Sequence, residues 1–515
     1  MAAIDAPPSP LVVDDAFPLL SHAAAAGGKS SVLAAPAPAT TGGGRLRRWL
    51  ARRSPWGRAS YAMVCTCVCY IFTYLWKQPI FVLPLDVLNA PVAPGSRVDL
   101  QTAFAMSQTV AFFAAKPFAI VFIASPRFYR ARVAWLCLFY VLAAACMGGG
   151  LALFHGRGLA QALCVGLSAF AASFIYGGLL TFLEGRRQTE AMLAALNFAV
   201  VVAGGFSRGV GAFLLEACGV SARYMPLAAV ALALPVTTAA TVLLGALPPP
   251  SAADVRARGA RGAMPAAARK AFVWRFAGGI AVLILAYTIL MALRGYRDFF
   301  ARELYTDALG GKTPTAALYF FVDFPGAVIA CGALALMTRF RDNVSALLAM
   351  LATMVAGVAV LGGATLLEHT GAMSELTWWY FCGVGIYVAF CTMGSGTYER
   401  LLAAAGATGT ITFLQFASDA SGYLGTLVLL FYLSFSKTAK GGENAVYVRT
   451  FRAFAYAVSV ALVGMLIPVA YYFRRKLRGR GAADGNKHDS DDDAEGGGAE
   501  NADDDGDGES SLARQ

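Results

Sequence analysis

From about residue 61 to residue 473 the chain alternates long apolar runs with short polar connections rich in arginine. Twelve runs stand out, at approximately 61–85, 101–125, 133–154, 158–183, 191–215, 223–246, 275–299, 314–338, 343–366, 376–397, 405–433 and 450–473. A helix rises about 1.5 Å per residue, so each run is long enough to cross roughly 30 Å of hydrocarbon. The pattern predicts an all-α multi-span membrane protein with twelve transmembrane helices.

The flanks read differently. Residues 1–44 are rich in Ala, Pro, Gly and Ser, without an apolar run long enough for a signal peptide. The chain beyond 480 is Asp- and Gly-rich and of low complexity. The expected organisation is a disordered cytosolic tail over 1–54, a six-helix bundle over 55–246, a cytosolic loop over 247–274, a second six-helix bundle over 275–476 and an acidic disordered tail over 477–515. Asp15-Ala-Phe-Pro-Leu19-Leu20 fits an acidic dileucine sorting signal. It would engage sorting adaptors and direct the chain to a vacuolar or endolysosomal membrane instead of the plasma membrane.

Composition sharpens the class. Of 515 residues, 57% are hydrophobic and 14% charged, against about a quarter charged in ordinary soluble domains. That excludes a disordered chain, a coiled coil and a soluble enzyme. The net charge of +11 is a sum of unlike parts, because residues 481–515 hold twelve acids and two bases. A basic balance raises nucleic acid as a partner, but these bases sit between apolar spans, where membrane topology accounts for them. With the N-terminus cytosolic, 25 bases flank the inner ends of the spans and nine the outer ends. Both termini are then cytosolic. The ten cysteines lie almost entirely inside apolar runs, which is no secreted disulfide framework. Cys65, Cys67 and Cys69 share no helix face and have no histidine nearby, so small-residue packing is expected there and no metal.

The two halves echo each other. Arg58 precedes Lys77 by 19 residues and Arg275 precedes Arg294 by 19; Tyr70 and Tyr287 each stand seven residues before those second cations. Arg127 and Arg130 follow span 2, as Arg339 and Arg341 follow span 8. Glu184, Arg186 and Arg187 follow span 4, as Glu399 and Arg400 follow span 10. Offsets of 212–217 residues point to two parallel six-helix repeats, the architecture of major facilitator transporters.

Topology leaves five bases unexplained: Lys77, Lys116, Arg208, Arg294 and Arg297. Asp323 and Asp419 are the deep acids. A charge at the bilayer centre costs about 2.5–3.5 kcal/mol on insertion scales, so such groups face a partner or a cavity. Arg208, Asp323 and Asp419 are candidates for intramembrane salt bridges or for coupling groups. Lys77 and Arg294, at matching repeat positions, are candidates to bind an anion across the central axis, with Arg297, Lys116 beside Pro117, and the hydroxyls of Tyr70, Tyr74 and Tyr287 nearby. Gly310-Gly311-Lys312-Thr313 and Gly27-Gly28-Lys29-Ser30 lack the earlier glycine of a phosphate-binding loop, and no nucleophile–His–acid set exists, so neither an enzyme nor a cofactor is expected.

Several motifs carry a resemblance. Tyr70-Ile-Phe-Thr-Tyr74-Leu-Trp-Lys77-Gln78-Pro-Ile-Phe81, Ala115-Lys116-Pro117-Phe118 and Ala404 through Gly425 resemble the first, second and eleventh spans of organophosphate:phosphate antiporters of the major facilitator superfamily. Phe182-Leu-Glu184-Gly185-Arg186-Arg187-x-Thr189-Glu190, Arg294-x-x-Arg297-Asp298-Phe299-Phe300, Tyr398-Glu399-Arg400 and Asp419-x-x-Gly422-Tyr423-Leu-Gly425 resemble an uncharacterised bacterial and algal group similar to that superfamily. The resemblance, over about 55–475, implies an alternating-access transporter with Lys77 and Arg294 in the anion-binding places. In the chain itself Lys stands first where those antiporters have Arg, and Gln78 replaces the following Lys. The functional expectation is a secondary transporter, monomeric in the bilayer, for a small organic or phosphorylated anion. The alternatives are a proton-coupled carrier of a neutral or zwitterionic metabolite and a non-transporting membrane receptor or scaffold.

Overall fold

The structure is a computed structural model describing residues 44–123, 125–183, 186, 189–249, 266–337, 339–340, 342–407, 412–437 and 444–495. Twelve helices among the described residues are long and apolar enough to cross a membrane, and the chain is an integral multi-pass membrane protein. They are α1 (Pro55–Trp76), α2 (Leu100–Ile123), α3 (Arg132–Leu153), α4 (Gly158–Leu183), α5 (Ala194–Glu216), α6 (Met225–Gly245), α7 (Ala277–Phe299), α8 (Ala316–Met337), α9 (Asn343–His369), α10 (Glu375–Ala404), α11 (Leu414–Ser434) and α12 (Val446–Leu477). Each overlaps the run expected from the sequence.

Two boundaries differ from the apolar pattern for backbone reasons. The first run reads as apolar to residue 85, yet the α-helix ends at Thr73 and tightens into a 3₁₀ turn over Tyr74–Trp76. Lys77 leaves helical geometry (φ −142°, ψ −32°) and a second 3₁₀ turn runs over Pro79–Val82. Pro79 has no N–H and its ring would clash with the carbonyl four residues back, so the ladder cannot pass it. At the eleventh run the preceding helix stops at Ala404 and residues 405–406 are turn, with Gly406 in a left-handed conformation (φ +60°), so the run does not open as helix.

Residues 44–51, placed by composition in the N-terminal tail, form a short helix, Gly44–Ala51, with Leu50 buried. The last helix is described as far as Glu495, past the point where composition starts the acidic tail. The dileucine motif, Asp15, Leu19 and Leu20, lies outside the described residues.

In the first half, α1 packs on α5 and α6, α2 on α4, and α3 on α4 and α6. In the second half, α7 packs on α11 and α12, α8 on α10, and α9 on α10 and α12. The halves meet along two seams, α5 against α8 and α2 against α11. At the first seam the backbones touch: a β-carbon on Gly205 would lie 2.5 Å from the Tyr319 carbonyl oxygen, and one on Gly209 2.8 Å from that of Ala316. Small residues permit such approach where lipid gives helices no hydrophobic drive to associate. Side-chain bonds also join the halves near the end of the α1–α2 connection. Gln101 donates to the Phe299 carbonyl (2.8 Å) and to Glu303 (3.0 Å), and Arg302 donates to the Val82 carbonyl.

Candidate functional site

The site grows from α7. Helical spacing puts Tyr287 and Arg294 on one face, two turns apart, with Asp298 a further turn along. Asp298 lies 3.6 Å from Arg294 Nε, an (i, i+4) ion pair. Arg208 of α5 donates to Asp298 Oδ1 at 3.1 Å and to Asp323 Oδ2 of α8 at 2.7 Å. Its Nη1 also reaches Gln78 Oε1, in the interrupted end of α1, at 3.4 Å. Arg297 closes onto the other Asp323 oxygen and onto the Trp379 carbonyl at 3.4 Å. Gly383 leaves room for that guanidinium; a β-carbon there would sit 3.0 Å from Arg297 Nη2.

A second cluster ties α2, α7 and α11. Asp419 accepts Lys116 Nζ at 3.0 Å, the Tyr287 hydroxyl at 2.9 Å and Gln415 Nε2 at 3.3 Å. Pro117, inside α2, breaks the backbone ladder beside Lys116.

Lys77 and Arg294 stand between these clusters. Lys77 ion-pairs with no carboxylate among the described residues; its ammonium lies 3.6 Å from the Tyr74 ring centroid and 5.2 Å from that of Phe112. Arg294 lies over Phe390 (4.6 Å) and Tyr387 (5.7 Å), and shares Asp298 with the better-placed Arg208. Both cations lie near Tyr74: Lys77 over its ring, and Arg294 close enough to act on it electrostatically. The walls are aromatic: Tyr70 meets Tyr74 and Tyr176 edge-on, each at 5.4 Å, and Phe112 stacks on Tyr423 at 5.7 Å. Around this site, among the described residues, five cations, Lys77, Lys116, Arg208, Arg294 and Arg297, meet three carboxylates, Asp298, Asp323 and Asp419, an excess of two; a further buried carboxylate, Glu303, accepts from Gln101.

The geometry thus sorts the sequence candidates. Lys77, Arg294, Tyr70 and Tyr74 come together. Arg208 and Asp323 form a salt bridge. Arg297, grouped by sequence with the anion-binding cations, is instead locked on Asp323 and 1% exposed, because α8 places that carboxylate against it. Lys116 and Tyr287 are both held by Asp419. Of the loop residues, Arg127 and Arg130 are exposed on a short helix, Pro126–Arg130. Arg186 is buried and donates to the Pro248 carbonyl at 2.6 Å. Arg400 holds Asn343 Oδ1 at 2.9 Å and Glu399 is half-buried. Glu184 and Arg187 lie outside the described residues.

In the sequence Asp298 and Gln78 stand only within motifs, with no role assigned, and Tyr176, Phe112, Phe390 and Gln415 are not singled out. Asp298 had a usable signal, its four-residue spacing from Arg294. The others carry none, being common residues in apolar runs.

The model of a family of unknown function, DUF5690, matches residues 93–476, and the chain belongs to that family. The matched region takes in α2 to α12, and so Lys116, Arg208, Arg294, Asp298, Asp323 and Asp419. Lys77 and its tyrosines lie before it. No curated protein matches the chain.

Proposed function

We propose that the chain is a secondary transporter that moves a small organic or phosphorylated anion by alternating access between two six-helix halves. The observation that carries this reading is that Lys77, between the halves, lies on aromatic faces with no carboxylate partner among the described residues, while Arg294 beside it has only Asp298, at 3.6 Å, which Arg208 holds more closely. Cations kept out of water and short of counter-charge attract an oxyanion. Lys offers a point charge and Arg a planar fork, and the tyrosine hydroxyls supply further donors.

The packing supports a two-repeat arrangement of the major facilitator type. Each helix pairing named in the first half recurs six helices later, and the α5–α8 seam maps onto α11–α2 in the same way. An equivalence of this kind lets one half rock against the other about a fixed site. The Lys-rich and Arg-rich ends of the spans put both termini in the cytosol under the positive-inside rule. The contacts of Gln101 and Arg302 then lie at the outer end, and this conformer is closed there.

Purified protein in proteoliposomes preloaded with inorganic phosphate is expected to take up labelled phosphate, a sugar phosphate or a carboxylate by exchange. Uptake confined to neutral or cationic solutes would sink the reading.

A second reading rests on Asp419, whose carboxylate meets Lys116, Tyr287 and Gln415 while its side chain stays 20% exposed. Protonation there would release Lys116, which would couple transport to protons. Uptake driven by an imposed pH gradient and lost in Asp419→Asn would favour this reading; exchange indifferent to pH would remove it.

A further inference from the structure

Two short helices flank the bundle at corresponding places. Gly44–Ala51 precedes α1, and Ala266–Arg275 precedes α7. Each is pinned to the body by apolar side chains and otherwise left open. Leu50 anchors the first; Phe272 and Phe276 anchor the second, Phe276 against Phe473 of α12. Arg58 fixes the corner between the first helix and α1 through the carbonyls of Ala51 (3.5 Å) and Arg53 (3.3 Å).

What they expose is alike. Arg45, Arg48, Arg52 and Arg53 are exposed around the first helix, and Lys270, Arg275, Arg474, Arg475 and Lys476 around the second. No acid occurs in the sequence between Asp15 and Asp86, between Asp254 and Asp298, or between Glu443 and Asp484. Each patch also carries exposed indole: Trp49 (48%) with Trp56 (60%) in the first, Trp274 (72%) in the second. The Arg53 guanidinium lies 4.2 Å from the Trp49 ring centroid. Both helices lie just before a spanning helix begins, and the ends of spans are expected at the membrane–water interface.

We propose that these two helices lie on the membrane surface and bind the phosphates of anionic phospholipids, with the indoles seated at the head-group level. The chemistry is complementary throughout. Arginine forks match phosphate oxygens, tryptophan favours the interface, and each basic residue near an anionic leaflet adds attraction that salt screens. An acid-free stretch leaves no protein carboxylate in these segments to compete.

The test uses the full-length protein in vesicles of phosphatidylcholine mixed with phosphatidylglycerol, with bromine on the acyl chains of one lipid at a time. The emission read is the part lost in Trp49→Phe, Trp56→Phe and Trp274→Phe together. Brominated phosphatidylglycerol is expected to quench it at least about twofold more than brominated phosphatidylcholine at low salt, with the difference fading at high salt. Replacing Arg45, Arg48, Arg52 and Arg53 by Gln should remove the preference at the first helix. Replacing Lys270, Arg474 and Arg475 by Gln should remove it at the second. Equal quenching by the two lipids, or full preference in both Gln variants, would overturn the proposal. A preference abolished by inorganic phosphate would assign the patches to free anions instead. A preference seen only after deletion of 481–515 would mean that the chain's own acidic tail covers them, and the proposal would fail.

Discussion

The two seams between the halves carry ion pairs of opposite polarity. On α5–α8 the cation, Arg208, is on the earlier helix and Asp323 on the later one; on α2–α11, the equivalent place six helices on, Asp419 is on α11 and Lys116 on α2. The surroundings differ more than the sign. The Arg208 and Asp323 side chains are 0% and 1% exposed, those of Lys116 and Asp419 18% and 20%. Arg208 is one of two guanidiniums on Asp323, at a seam where Gly205 brings backbones together. Lys116 holds its acid alone among cations, beside aromatic rings. One seam has the build of a lock, the other of a single, more exposed pair.

Breaking the lock should have the largest effect. Asp323→Asn strands Arg297 and leaves Arg208 only Asp298 in a dry seam, and is expected to destabilise the fold by about 3–5 kcal/mol. Thermal unfolding in detergent should show this as poor yield or a large fall in midpoint. Gly205→Ala comes next, because the new methyl meets a backbone carbonyl that can yield only if α5 moves from α8; a loss of about 1–3 kcal/mol is expected. Asp419→Asn should cost less than Asp323→Asn, because it removes one ion pair whose side chains are 18% and 20% exposed instead of two in a closed seam, so the unfolding midpoint should fall less while the pH dependence of uptake changes. A charge swap sharpens the contrast. Exchanging Lys116 and Asp419 should be tolerated in stability; exchanging Arg208 and Asp323 should not, since it puts an acid against Asp298 and an arginine against Arg297. Equal losses in the two swaps would erase the distinction.

Much of this was legible in the sequence, for a physical reason. A span needs about twenty apolar residues whatever it packs against, so hydropathy alone located all twelve. Charges inside spans are expensive enough to be informative singly, which is why Lys77, Lys116, Arg208, Arg294, Asp323 and Asp419 could be picked out. Their pairing could not. Lys116 and Asp419 are 303 residues apart, and nothing in either span names the other. The end of α1 was also hidden, because a run that stays apolar through Pro79 hides the backbone break that presents Lys77. Asp298 stands in a motif without a role for the opposite reason: at the end of an apolar run a carboxylate looks like a rim residue, whereas it is the acid shared by Arg208 and Arg294.

The central claim is that Lys77 and Arg294 bind a transported anion and do not merely hold helices together. The direct measurement is anion uptake by proteoliposomes containing the Lys77→Gln, Arg294→Gln double variant, with the unfolding midpoint read on the same preparation. Uptake is expected to fall about 100-fold or more, from the loss of two charge-assisted interactions of roughly 1.5–3 kcal/mol each, at a midpoint close to that of the parent. Undiminished uptake at an unchanged midpoint would contradict it.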